Sequence, residues 1–238
     1  MGLCNFDSVS PEAASRIQQF AQHAFNSYQS TAQTYLLSRY VLQCDVPGDF
    51  VECGVAAGAQ LAAMGQAMAD TGKSRTIHAY DSFCGIPFAG PEDDQQPGFA
   101  KIIMDQSLPL RQRLRSSGVS ACALGDVIAL WTKWGFSNEI QWHKGWFQDT
   151  MPECRVPTIS FLRLDGDLYE STWECLVYLY HRVHVGGIVF IDDWGLKGCQ
   201  KAVEDFLRFW EETYNERRPV LLFDKGIKDG GDSAYWIR

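Results

Sequence analysis

Several features that would fix a class at once are missing from this chain. The eight cysteines (Cys4, Cys44, Cys53, Cys84, Cys122, Cys154, Cys175 and Cys199) are scattered with no C-x-x-C pair. Several sit inside apolar runs as small hydrophobes do, a pattern that fits reduced thiols in a cytosol. No apolar stretch approaches 18 residues, and no basic segment followed by an apolar core opens the chain, so neither membrane spanning nor secretion is expected. Basic runs are absent too: Lys and Arg total 21 against 29 Asp and Glu, a formal net charge of -8. A nucleic-acid backbone or an anionic membrane would be repelled by that balance, and a small molecule is the expected partner. There is no internal repeat and no low-complexity tract. What is present, 46% hydrophobic and 13% aromatic residues over 238 positions, describes one well-cored domain.

Hydrophobic periodicity divides the chain into alternating elements. Ser10-Pro11 supplies a cap and a first-turn proline for a helix carrying Ile17, Phe20, Ala21, Ala24 and Tyr28, and a second helix is expected over 34–42. After Pro47-Gly48, a strand over 49–53, a helix with Leu61, Met64, Gly65 and Met68 on one face and a strand over 76–80 form a βαβ unit. Further strands are expected at 140–143, 158–164 and 187–191. The last two flank a helix with Trp173, Leu176, Val177, Tyr180 and Val183 inward, closed by Gly186-Gly187. A final helix buries Ala202, Val203, Phe206, Leu207 and Trp210, and the runs 220–223 and 234–237 suggest an antiparallel hairpin. The sum is an α/β doubly wound, seven-stranded, mostly parallel sheet with an antiparallel C-terminal strand. Residues 1–47 form a helical extension, a lid or a subunit contact, ahead of a domain over 48–238. The irregular stretch from Phe83 to Ser107 is too long for a plain connection and reads as a substrate loop or lid.

Two aspartate clusters stand where apolar strands run out: Phe161-Leu162-Arg163-Leu164-Asp165-Gly166-Asp167 and Ile188-Val189-Phe190-Ile191-Asp192-Asp193. In an open parallel sheet, ligands bind outside the carboxyl ends of the strands, so carboxylates there are placed for chemistry more than for packing. Two of them about 4 Å apart repel by roughly 4 kcal/mol at an effective dielectric near 20. Mg2+ or Ca2+ offsets that repulsion directly, whereas protonating one Asp or separating the side chains in water offsets it partially.

The first strand ends in Val51-Glu52-Cys53-Gly54-Val55-Ala56-Ala57-Gly58, whose glycines allow close backbone approach to a ligand and open a helix N-terminus toward it. Gly-x-x-x-Gly serves helix packing equally well, so this signal is weak alone. The second strand ends in Tyr80-Asp81-Ser82-Phe83, where an acid can accept hydrogen bonds from a nucleoside ribose or can cap a turn. A dinucleotide wants the tighter G-x-G-x-x-G loop for its pyrophosphate. Position 56 is alanine here, and S-adenosylmethionine, which has no phosphate, suits the looser loop better.

With 52–55, 80–87, 144–152, 164–172 and 186–193, these stretches resemble the successive motifs of the macrocin O-methyltransferase family, in order, over residues 48–238. That family consists of class I methyltransferases with a Rossmann-like fold. They use S-adenosylmethionine and Mg2+ to methylate hydroxyls, often on deoxysugars of natural products such as macrolides and aminocoumarins. The resemblance implies that Glu52, Gly54 and Gly58, with Gln60 beside them, line the methionine end of the cofactor. It places Asp81 and Ser82 at the ribose, and Gly145, Trp146 and Phe147 at the adenine. It implies Asp165, Asp192 and Asp193 as metal ligands, with Asp165 or its neighbour Asp167 as general base, Asp165 being favoured because it ends the strand directly. A small hydroxyl acceptor, a cytoplasmic location and a homo-oligomer complete the expectation. Two departures bear on the acceptor: Ala56-Ala57 replaces a bulkier, often basic pair, and the stretch 101–138 is longer and richer in tryptophan than the family pattern.

Other residues have plainer readings. His143, in a strand, and His181, near a helix end, are expected to be structural. Asp93-Asp94 reads as a solvated loop, and capping of the helix near Gly198 by Asp192 or Asp193 is awkward because of the intervening residues. Rival functions are a catechol-type phenol methyltransferase, a nucleotide-dependent oxidoreductase disfavoured by the missing middle glycine, and a non-catalytic cofactor-binding module, which would tolerate loss of the aspartates.

Overall fold

The computed structural model describes residues 3–25, 27–93, 107–223 and 233–238. Its elements run α1 (Pro11–Ala21), α2 (Tyr28–Gln43), β1 (Asp49–Cys53), α3 (Ala59–Thr71), β2 (Ile77–Asp81), α4 (Leu110–Arg113), α5 (Leu124–Lys133), β3 (Ile140–Lys144), α6 (Phe147–Thr150), β4 (Ile159–Leu164), α7 (Tyr169–Leu179), β5 (Val183–Ile191), α8 (Lys197–Tyr214) and β6 (Ala234–Ile237). The sheet order is β3-β2-β1-β4-β5-β6, parallel throughout except for antiparallel β6. This is the doubly wound α/β architecture expected from the alternation of patterns. The order reverses between β1 and β4, and the crevice above that reversal is the place where such sheets take ligands.

Strand alternation builds two cores. Phe50, Phe161, Ile188 and Tyr235 point to the face covered by α1, α2, α3 and α5. Their neighbours Val51, Leu162, Val189 and Trp236 point to the face covered by α7 and α8. One residue of slip in any strand would exchange these sets, so register is fixed by burial on both sides. The two N-terminal helices share the first core: Ala13 and Ile17 of α1 and Tyr35 and Leu37 of α2 are buried with the sheet residues. Ser10 accepts a hydrogen bond from the Ala13 N–H and Ser27 from the Ser30 N–H, each an N-cap that fixes where its helix starts.

Several boundaries differ from the sequence reading. Tyr28 opens α2 and does not belong to α1, because Ser27 is the stronger start signal. A 3-10 turn at Tyr180–Arg182 follows α7, and Val183 begins β5, so Gly186 and Gly187 lie inside that strand and do not close a helix. There they meet the chain's end, Gly186 donating to the Arg238 carbonyl and Arg238 to that of Gly187. Seven strands were expected and six occur among the described residues. The run 220–223 reaches β6 only through a reciprocal bridge between Leu222 and Tyr235, with Val220 exposed to solvent. Residues 94–106 of the expected substrate loop, with Asp94, and the 224–232 connection of the expected hairpin lie outside the described residues. All eight cysteines are free thiols, and no helix among the described residues is long and apolar enough to cross a membrane.

Phe161 sits at the centre of the first core, fully buried, its ring 5.7 Å from that of Phe50 and 6.5 Å from that of Phe190. Phe161→Ala should destabilise the protein by about 3–5 kcal/mol. In a chain of this length that lowers Tm by roughly 6–20 °C, read by calorimetry.

Candidate active site

Arg163 is a cation in the middle of β4, every residue of which is buried. Its side chain is 0% exposed, and three carboxylates converge on it: Glu52 at 3.0 Å, Asp165 at 3.0 Å and Asp192 at 2.9 Å. Its Nε donates to Thr34 Oγ1 of α2 at 3.2 Å, and the guanidinium lies 5.7 Å from the Phe190 ring centre. A buried charge is tolerable only when paired and hydrogen-bonded on this scale. The environment answers unevenly. Burial pushes Glu52 up to about 8 against the opposing pull of Arg163, so Glu52 carries a proton at neutral pH. Asp192 is pushed up to about 6, by burial first, again opposed by Arg163.

Beside this hub lie Asp165, Asp167 and Asp193, each offering an oxygen within 4.8 Å of the others. Asp167 turns toward the group because its backbone is left-handed (φ 59), which places its N–H on Asp193 Oδ2 at 2.8 Å. Burial and then the neighbouring carboxylates, Asp165 foremost, hold both Asp167 and Asp193 well above the usual carboxylate range. The metal set expected from the sequence was Asp165, Asp192 and Asp193. The structure groups Asp167 in place of Asp192, which is drawn aside by Arg163 and accepts a hydrogen bond from Ser30 Oγ of α2. Hard oxygen donors at two strand ends, without His or Cys, fit Mg2+.

The β1 loop closes over the same crevice. Gly54 has φ +93, and a Cβ there would overlap the Asp165 carbonyl, so only glycine lets the β1 and β4 ends lie side by side. Asp81 laces the loop to β2: its Oδ2 accepts from the N–H groups of Val55 (2.7 Å) and Ala56 (3.0 Å), and its Oδ1 from that of Phe83 (2.6 Å). Asp81 thus caps the turn, one of its two expected readings, and it also lines the cavity.

That cavity, about 550 Å³, gathers Gly54, Asp81, Ser82, Gly145, Trp146 and Phe147 on one side and Asp165, Asp167, Asp192 and Asp193 on the other. Three expected cofactor residues do not line it. Glu52 is drawn beneath the floor by Arg163, Gly58 is the left-handed residue that starts α3, and Gln60 is buried with its Nε2 on Thr31 Oγ1 at 3.3 Å. The sequence reading passed over Arg163, Ser30, Gln33 and Ser233. An arginine inside an otherwise apolar strand was the available signal for the first, since such a residue is buried only with partners. The two histidines lie outside the cavity: His143 stacks on Tyr80 with ring centres 4.0 Å apart, and burial lowers its pKa to about 4. Asp93 is no solvated loop residue but a cap, taking the Tyr169 N–H at the start of α7 at 2.7 Å. Neither Asp192 nor Asp193 caps α8, whose N-cap is Leu196.

A family model described as macrocin O-methyltransferase matches residues 31–213, and the chain belongs to that family. Demethyldecarbamoylnovobiocin O-methyltransferase of Streptomyces niveus is 34% identical over 201 residues, covering 83% of this chain and 69% of the relative. Mycinamicin III 3''-O-methyltransferase of Micromonospora griseorubida is 33% identical over 199 residues, covering 83% and 71%. Among solved structures, the O-methyltransferase NovP superposes with a TM-score of 0.71 at 30% identity over 91% of this chain and 82% of NovP. The calicheamicin methyltransferase CalS11, at 18% identity and a TM-score of 0.62 over 96% and 93%, shares the fold.

The Glu52 carboxyl makes a signed prediction. Its pKa rises from 4.5 to about 8 on folding, so the native state holds a proton that the unfolded chain releases between those values. The stability this contributes is complete below pH 4.5 and is lost as pH rises through 8. Glu52→Gln should remove that slope, so that urea midpoints of variant and wild type diverge in the variant's favour between pH 4.5 and 8.

Proposed function

We propose that this member of the macrocin O-methyltransferase family transfers a methyl group from S-adenosylmethionine to a hydroxyl of a small molecule, a sugar of a natural product, with Mg2+ on its acidic cluster. One observation carries the reading: a glycine loop tied by Asp81, an aromatic wall and a triad of carboxylates line one cavity. Its size lies within the range of small-molecule sites. The hydroxyl-directed names of the curated relatives support the same chemistry. A cytoplasmic, homo-oligomeric enzyme is part of this reading, the assembly being checked by light scattering.

The cofactor and the cation supply, respectively, a methyl group activated on a sulfonium and a Lewis acid that fixes and polarises an acceptor oxygen. This chain's residues do the rest. Gly54 and Gly145 leave room on the wall, Trp146 and Phe147 offer flat faces, and Asp81 holds the loop in its ligand-ready shape. Asp165, Asp167 and Asp193 would hold the cation. Asp165 commits an oxygen to Arg163, whereas Asp167, buried beside Asp165 and Asp192, is driven toward the protonated form. Proton acceptance falls to Asp165, which ends its strand directly, with its neighbour Asp167 as the alternative. Alignment of hydroxyl and methyl is chiefly a positioning effect, which rigid strand ends provide.

Calorimetric titration should show S-adenosylmethionine and its demethylated product binding in the micromolar range, about -8 kcal/mol. Asp81→Ala should weaken that by roughly 1.5–3 kcal/mol. Binding of NAD(H) in their place would reassign the cavity to hydride chemistry. Excess EDTA should abolish turnover and Mg2+ restore it, with cofactor binding largely unchanged; full activity in EDTA would remove the metal from the reading. Asp165→Asn should lower kcat by about 10²–10⁴ and erase the rising limb of the pH–rate profile, whereas a surviving limb would move the proton to Asp167.

A further inference from the structure

Asp167 reaches the acidic group through a left-handed backbone, φ 59, a conformation that persists in an L residue only where the surroundings over-determine it. On the near side of the turn, the Asp167 N–H is bound by Asp193 Oδ2. On the far side the hold comes from a distant part of the chain. Leu168, the N-cap of α7, has no side-chain oxygen, which leaves the N–H groups of the first helical turn without a local partner. Asp93 supplies one from 76 residues upstream, its Oδ1 accepting the Tyr169 N–H at 2.7 Å. Leu168 itself is buried with Ala89, and Ile86 and Val119 pack against them. The two residues that follow Asp167 are therefore both fastened to segments that come after β2.

Asp93 is itself firmly built in, although it does not line the cavity. Its Oδ2 accepts the Gly90 N–H at 2.7 Å, and its own N–H returns to the Gly90 carbonyl at 3.2 Å, which closes a turn. Gly90 lies against the Glu170 carboxylate of α7, where a Cβ would come within 2.4 Å of an oxygen. Glu170 in turn pairs with both terminal nitrogens of the buried Arg113, which also donates to the carbonyls of Leu108 (3.1 Å) and Phe88 (3.4 Å). Gly198, in the first turn of α8, is so close that a Cβ there would lie 2.1 Å from Asp93 Oδ1. We propose that Asp93 is a positioning residue for the acidic group: by capping α7 from a distance it fixes Asp167 within reach of Asp165 and Asp193, and so sets how tightly the three hold a divalent cation. This rests on the reading above that those carboxylates take Mg2+. Asp93 thereby shapes a site that it does not line.

The test titrates the full-length protein, saturated with S-adenosylhomocysteine, with Mn2+, which takes the same oxygen donors as Mg2+, and follows the free ion by electron paramagnetic resonance. Asp193→Asn removes a direct donor and should weaken binding, which locates the ion at the acidic group. Asp93→Ala should weaken Mn2+ by about 2- to 30-fold, the equilibrium worth of an N-cap. Asp93→Asn loses the charge but keeps an oxygen for the Tyr169 N–H, and should recover most of that loss. Gly198→Ala changes no charge and favours the helix, yet its methyl displaces Asp93 Oδ1, so it should weaken Mn2+ as well. It carries the comparison if thermal melts show that Asp93→Ala does not fold. Ser10→Ala removes the cap of α1, outside the cavity, and should leave Mn2+ binding unchanged. Wild-type affinity in the folded Asp93→Ala or Gly198→Ala protein would overturn the inference. Equal losses in Asp93→Ala and Asp93→Asn would do so too, by reducing the effect to charge, as would an equal loss in Ser10→Ala, by reducing it to general stability. No Mn2+ binding by wild type, or binding untouched by Asp193→Asn, would overturn the cation reading of the acidic group, and this inference with it.

Discussion

A guanidinium placed in a strand that is buried on both faces must be met by acceptor oxygens and negative charge, and the arrangement around Arg163 follows from that requirement. Glu52 reaches it from β1, Asp165 from the end of its own strand, Asp192 from β5 and Thr34 from α2. Each partner comes from a different element, so the ion cluster specifies how three adjacent strands and one helix are set against each other. Removing one member of such a buried set leaves an uncompensated charge, typically a loss of about 3–5 kcal/mol. The cluster therefore acts as a registration device for the floor of the cavity.

The same arginine divides the carboxylates into two groups with different work. Glu52, beneath the cavity floor, and Asp192 are drawn to it, while Asp165 gives it one oxygen and keeps its place in the acidic group. Asp167 and Asp193, one step further out, face each other and Asp165 with burial raising their proton affinity. Glu52, protonated at neutral pH, removes one negative charge from beneath. The left-handed backbone at Asp167 is the local strain that turns it into this group, and the bond from its N–H to Asp193 helps hold it there.

Both N-terminal helices, which the sequence offered as an extension, are built into the first core, and α2 is built into the cavity wall as well. The buried polar face of α2, with Ser30, Thr31, Gln33 and Thr34, would be unfavourable against an apolar sheet. It is satisfied because it docks on the Arg163 cluster, on Gln60 and on Ser233. Packing and cavity lining thus use different parts of one helix: Tyr35 and Leu37 anchor it in the core, while Ser30 and the N-cap Ser27 front the cavity.

Much of this protein was legible from the chain itself. Period-two and helical patterns located β1 to β4 nearly residue for residue, because burial on both sheet faces forces continuous apolar runs bounded by glycine and acid. Aspartates at strand ends marked the crevice that the cavity occupies, since topology alone puts those ends together. The exceptions share a cause. The strand extension through Gly186-Gly187 depends on the chain's last residue arriving alongside, and the single bridge at Leu222 depends on how closely 220–223 meets β6; neither is encoded in local pattern. Exchange of Asp192 for Asp167 in the acidic group is decided by a buried arginine whose partners lie up to 129 residues away. The wall made by Gln33 and Ser233 joins residues 200 apart. Sequence by itself determined the layers, the crevice and the class of chemistry, because these follow from periodicity and from residue type at strand ends. Which carboxylate faces the cavity and which is held down beneath it was decided only by tertiary structure, because the energy of a buried charge is set by partners that the fold, and not the neighbouring sequence, brings within 3 Å.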